Sequence, residues 1–206
     1  MAGFTTYDRG VATTRLPQPV HPRDDVGPAP DDLESLRSFL SLHDHAPGDR
    51  TSLAPQADSL RWWLRTKGSV GDREEISDQD VAWALEVRAA LVAKVREPTG
   101  PQHDEGAELL NRAAERAGLR MCFGCEEERP IHVGSEGVPG AIGTLLGAAF
   151  LAELDGRWER FRLCDDPTCS AVFYDRSRNR SGRWCSMATC GNRNKVRAFR
   201  ERHASA

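Results

Sequence analysis

The sequence predicts a mainly α fold with a small β-hairpin, in which a helical N-terminal part gives way to a short C-terminal tail of different chemistry. Three observations predict it. Apolar residues recur at helical spacing from Asp31 to Leu154, the i, i+3, i+4, i+7 signature of amphipathic helices. Four of the six cysteines fall in two close pairs within residues 164–190. Charge is divided along the chain. Residues 157–203 carry twelve basic and five acidic residues, a balance of +7, and the remainder carries sixteen basic and twenty-six acidic, a balance of −10. The modest whole-chain charge of −3 therefore hides a basic segment suited to a polyanion.

A length of 206 residues allows one domain or two small ones with a real core. Residues 1–30 contain Pro17, Pro19, Pro22, Pro28 and Pro30 and few periodic apolar positions, so a mostly disordered extension is expected. A helical domain is expected over residues 31–156. Leu33, Leu36 and Leu40 share a helix face, and a break follows at Pro47-Gly48. Leu60, Trp63 and Leu64 mark a short helix ending at Gly68. Ser77 and Asp80 resemble a capping box with Asp in place of Glu. They open a helix with Val81, Leu85, Val92 and Val95 on one face, stopped by Pro98. A further helix spans residues 105–117 and ends at Gly118, and Leu119–Cys122 with Pro130–Val133 read as a strand pair. Val138–Leu154 is the most apolar helix and the expected centre of the domain. The tryptophans at helical spacing read as core rather than as cofactor-stacking groups.

The stretch Ala141–Leu154, interrupted by Gly143, Gly147 and Glu153, is too short for a membrane span. The opening MAGFTTYDRG lacks a basic segment followed by an apolar run. A cytoplasmic location and no membrane partner are expected.

Cys164, Cys169, Cys185 and Cys190 form C-x4-C-x15-C-x4-C. Each pair wraps a tight turn that converges two sulfurs, and a hairpin-sized segment brings the pairs together, as one tetrahedral zinc ion requires. Two disulfides are the alternative, disfavoured in a reducing compartment. Four thiolates saturate zinc and leave no position for water, so the metal is expected to be structural. Ala171–Tyr174 is strand-like, Asp175–Gly182 turn-like and Asn192–His203 helix-like. Knuckle, hairpin and helix together make a treble-clef-like zinc finger over residues 157–206. Cys122 and Cys125 form an isolated C-x2-C followed by Glu126, Glu127 and Glu128, and read as ordinary thiols at a hairpin.

The runs Asp175-Arg176-Ser177-Arg178-Asn179, Arg183-Trp184-Cys185-Ser186-Met187 and Cys190-Gly191-Asn192-Arg193 closely resemble the CGNR zinc finger over about residues 160–202. Upstream, the leucine-rich helix at 33–40, Leu60-Arg61-Trp62-Trp63-Leu64 and the Leu85–Val95 helix resemble the ABATE domain. That domain precedes this finger in bacterial proteins described as stress-induced transcription regulators. The resemblance implies DNA binding.

On a helix after Cys190, Arg193, Arg197 and Arg200 fall on one face. Asn192, Val196 and Phe199 fall on an adjacent face, expected to pack against the hairpin and Trp184. Arg176, Arg178, Arg180, Arg183 and Lys195 extend the basic surface. Duplex DNA is the expected partner, because arginine suits bidentate phosphate contacts and guanine edges. A nucleoid association would follow. The helical domain is expected to dimerise or to hold a small-molecule effector. An RNA- or protein-interaction module is the alternative. No enzyme is expected: the nearest catalytic grouping is His43, Asp44 and His45, and the chain contains no Walker loop, G-x-S-x-G or H-E-x-x-H.

Overall fold

A computed structural model describes residues 27–42, 57–68, 70–97, 101–123 and 130–204. The expected extension lies outside these residues except for 27–30, and His43, Asp44 and His45 lie outside them altogether. The fold is mainly α, with two small antiparallel strand pairs. The order is α1 (Asp31–Leu40), α2 (Ala57–Thr66), α3 (Asp78–Arg96), α4 (Pro101–Arg116), β1 (Leu119–Met121), β2 (Ile131–Val133) and α5 (Gly137–Leu154). A 3-10 turn (Trp158–Arg160) leads into β3 (Phe161–Leu163) and β4 (Val172–Tyr174), and a π-helical turn (Met187–Gly191) runs into α6 (Asn192–Ala204).

The apolar periodicity explains the packing. Leu33, Leu36, Phe39 and Leu40 of α1 meet Leu60, Trp63 and Leu64 of α2 and Val87 and Leu91 of α3 in one core. Trp63 is buried there, and its indole N–H donates to Ser38 Oγ at 2.7 Å. At the start of α3, Ser77 Oγ accepts from the Asp80 amide at 3.1 Å, as the capping pattern predicts. The Asp80 carboxylate, however, accepts from the Ser77 hydroxyl at 2.7 Å. A full capping box would have it reach back to the Ser77 amide.

α5 is central, as expected, touching α1, α3, α4 and β2. It is long and apolar enough to cross a bilayer by length and composition, and 56% of it is buried inside the fold. Gly143 gives β1 and β2 their seat: a Cβ there would lie 2.8 Å from Ala117 Cβ and Val133 Cγ1. Leu119 pairs with Val133 and Met121 with Ile131 across that hairpin.

Arg88 closes the C-terminus of α1. Its guanidinium donates to the carbonyls of Phe39 at 3.0 Å, Leu40 at 2.7 Å and Leu42 at 2.8 Å. One buried cation thereby bonds the last two carbonyls of the helix and one just beyond it, the Phe39 carbonyl also accepting from the Leu42 amide at 3.3 Å. Burial draws its pKa down to about 10, still far above neutrality.

The second hairpin joins the helical core to the C-terminal segment. Phe161 pairs with Tyr174 and Leu163 with Val172. Phe161, Val172 and Tyr174 belong to the same core cluster as α1, α3 and α5. Phe173, on the opposite face of β4, packs with the four cysteines. The Ser41 hydroxyl donates to the Val172 carbonyl, and Arg157 pairs with Asp32 at 2.6 Å.

Candidate metal centre

The first cysteine pair sits on the turn between β3 and β4. The Cys164 amide donates to the Ala171 carbonyl at 2.9 Å and the Cys169 amide to the Asp166 carbonyl at 2.8 Å, which fixes the knuckle. The second pair straddles the π-helical turn. Ser186 Oγ accepts from the Thr189 amide at 3.2 Å, and the Gly191 amide donates to the Ser186 carbonyl at 3.0 Å. Cys190 thus lies in the last turn before α6, where Asn194 Nδ2 donates to its carbonyl at 2.9 Å.

All four cysteines are buried and free of disulfides, and their sulfurs lie within 4.8 Å of one another. Cys169 and Cys185 are 3.7 Å apart at sulfur, as are Cys185 and Cys190. A disulfide needs about 2.05 Å. Tetrahedral thiolates at a zinc–sulfur distance of about 2.3 Å stand about 3.8 Å apart. The donor set therefore fits one structural zinc. The thiol chemistry agrees. Hydrogen bonds from Cys169 and Cys185 pull Cys164 down to about 2. Burial and the neighbouring Cys169 and Cys164 push Cys190 up to about 12. Sulfurs this close cannot all ionise unless a cation sits among them.

Two buried carboxylates, Asp166 and Asp175, frame the cluster. Asp166 accepts from the Thr168 amide at 3.0 Å and hydroxyl at 2.9 Å. Arg193 of α6 lies 3.1 Å from it and Arg197 3.7 Å. Burial opposes the Asp166 charge, but Thr168 and Arg193 outweigh it and hold the carboxyl below its ordinary range. Asp175 accepts from the Ser177 amide at 2.9 Å and the Gly182 amide at 2.7 Å, closing the turn before the second pair. Gly182 is required there, since a Cβ would meet the Asp175 carboxylate at 2.8 Å. Arg160 Nη1 donates to the carbonyls of Asp175 at 3.0 Å and Ser177 at 3.2 Å, and Arg162 to that of Arg180 at 2.7 Å.

The basic residues are divided by these contacts. Arg193 and Arg197 face the knuckle. Arg180 pairs with Glu159, and Arg183 pairs with Asp165 at 2.8 Å beside the Trp184 ring. Arg176 donates to the Pro28 carbonyl at 3.4 Å. Arg178, Lys195 and Arg200 have no acidic partner among the described residues, and neither does Arg202. The packing expected of α6 is reversed. Val196 is 48% exposed and Phe199 55%, so neither is buried against the hairpin or Trp184. The side of the helix that meets the knuckle is the one carrying Arg193, Asn194 and Arg197. The buried Asp166 carboxylate draws the arginines inward, and the apolar residues are turned out.

Cys122 differs from the sequence expectation of a thiol: it is disulfide-bonded. Cys125 lies outside the described residues.

A four-cysteine knuckle joined to a strand pair and a following helix defines a structural zinc-binding module. Residues 160–203 match the family model of the CGNR zinc finger, and this segment of the chain is one. In that run Cys190 supplies one of the four sulfurs that could hold the zinc, Gly191 packs against Met187 and Trp184, Asn192 opens α6, and Arg193 reaches back to Asp166. No curated protein matches the chain.

Proposed function

We propose that the chain is a DNA-binding transcription regulator, with the zinc finger as the DNA-contacting module and the helical domain serving dimerisation or effector sensing. One observation carries the reading. Within a segment of net charge +7, Glu159, Asp165 and Asp166 are matched by Arg180, Arg183, Arg193 and Arg197, and Asp175 is taken up by backbone amides. Arg178, Lys195, Arg200 and Arg202 are left without acidic partners among the described residues, on a scaffold that a structural metal stiffens. Such a surface binds polyanions by releasing counterions. Four thiolates leave zinc no open coordination position, so the reading includes no catalytic step.

The test is a gel-shift titration of the zinc-loaded chain on random 30-bp duplexes between about 50 and 200 mM salt. Four neutralised phosphates give a slope of about −3.6 in log affinity against log salt. No binding to any duplex at the lowest salt refutes the proposal. Displacement by structured RNA at equal phosphate concentration moves it to an RNA-binding module.

A further inference from the structure

The outward side of α6 combines features that the fold does not use. Val196 and Phe199 are exposed opposite the side that meets the knuckle, and the Phe199 ring rests on His203 with centroids 4.2 Å apart. At about 100° per residue, Val196, Phe199 and His203 form one continuous stripe. Arg200 stands about 70° to one side of it, and Lys195 about 70° and Arg202 about 90° to the other. These three cations have no acidic partner among the described residues. Single exposed apolar residues need no explanation. A contiguous apolar stripe with unpaired cations along both margins does, and the margins exclude a basic partner surface.

Building on the DNA reading above, we infer that α6 lies in the major groove of duplex DNA. The Val196–Phe199 stripe contacts base edges at thymine methyls, and Lys195, Arg200 and Arg202 contact the phosphates on either side. The dimensions agree: a helix with its side chains is about 10–12 Å across and the groove about 12 Å wide. The chemistry agrees as well. The thymine C5-methyl is the apolar group exposed in the major groove, and valine and phenylalanine are apolar partners for it. Arg193 and Arg197, turned to Asp166, set the angle at which the helix is presented.

The experiment uses the full zinc-loaded chain. Random 25-bp duplexes are enriched on the wild-type protein, and affinity for the enriched duplex is compared with that for the same duplex carrying deoxyuridine in place of thymidine. Wild type should lose about fourfold per contacted methyl. Phe199→Ser should lose about tenfold on the thymine duplex, become insensitive to the replacement, and keep the wild-type salt slope. Lys195→Ala with Arg200→Ala should instead lower the slope by about 2. Zinc content and circular dichroism confirm folding, which the exposure of these side chains protects.

If wild type binds but Phe199→Ser and deoxyuridine leave affinity unchanged, or the enriched duplexes lack thymine, the stripe assignment is overturned and the DNA reading stands. If wild type binds no duplex, both fall. If Phe199→Ser alters only the sedimentation of the chain, or only its binding to vesicles of 30% anionic lipid, the stripe serves a second copy or a membrane surface and the inference is wrong.

Discussion

Replacing Asp166 with Asn tests whether the finger depends on charge buried behind its metal. The side chain has no solvent exposure, and its partners Arg193 and Arg197 are 26% and 35% exposed. Asn keeps the shape and can still accept from the Thr168 amide and hydroxyl, so only the charge is removed. The Arg193 contact at 3.1 Å is an ion pair without hydrogen-bond alignment, so it falls at the low end of the about 1.5–3 kcal/mol of a charged hydrogen bond. The second, at 3.7 Å, adds little. Partial exposure of both arginines screens the interaction, leaving about 1–2 kcal/mol. Metal binding and folding of such a module are one equilibrium, so the loss should appear as zinc affinity weakened by about tenfold. Competition against a colorimetric chelator at pH 7 measures it. The lowered Asp166 pKa means that its contribution is complete above the ordinary carboxylate range and is lost as pH falls through the lower folded value. At pH 7 the charge is therefore fully present. The double variant Asp166→Asn, Arg193→Gln should be no worse than either single one. Additive losses, or less than a twofold change for Asp166→Asn alone, would refute the role assigned to the pair.

Zinc affinity should rise with pH, because Cys190, held near 12 without a cation, must lose its proton to bind. The same competition assay between pH 6.5 and 8 reads this, and a flat profile contradicts it. Gly143→Ala should cost about 1–3 kcal/mol in urea unfolding, since its Cβ would overlap Ala117 and Val133 of the β1–β2 seat. Arg88→Met should cost about 3 kcal/mol by leaving the carbonyls of Leu40 and Leu42 open and removing one of two bonds to that of Phe39, and a melting temperature within about 2 °C of wild type argues against that capping role. Chelation at pH 7 should expose the amides of α6 and the knuckle to hydrogen exchange. The amides of β3 and β4 should stay protected, because Phe161, Val172 and Tyr174 belong to the helical core.

What the sequence reveals depends on whether the information is local. Periodicity marks α1 to α5, because a buried stripe at 3.6 residues is written in consecutive residues. The cysteine spacing locates the metal centre, since each ligand pair spans one tight turn. The side that α6 turns outward could not be read the same way. A helical wheel groups Arg193 with Arg200 and Val196 with Phe199, and ordinary hydrophobicity assigns the second group to the interior. The deciding residue is Asp166, twenty-seven positions before Arg193, buried on the knuckle and accepting two bonds from Thr168 before it meets either arginine. Nothing in the sequence distinguishes Asp166 from its neighbour Asp165, which pairs with Arg183 at the surface. Asp175 is hidden for a similar reason: its bonds to Ser177 and Gly182 exist only once the turn is closed.

The register of β4 has a consequence for how the two halves of the molecule communicate. Val172 and Tyr174 face the core that α1, α3 and α5 build, and Phe173 between them faces the four cysteines. A strand alternates its side chains rigidly, so neither face can shift without the other. The hydrogen bond from Ser41 to the Val172 carbonyl ties the end of α1 to the same strand, and Arg88 on α3 fixes that end through the Leu42 carbonyl. A change in the helical domain that moved the C-terminus of α1 would therefore act directly on β4. From β4 it would reach Cys169 through the knuckle, and α6 through Asp166 and Arg193. The basic and apolar surfaces of α6 are thus presented by a chain of packed and charged contacts that begins in the acidic half of the protein.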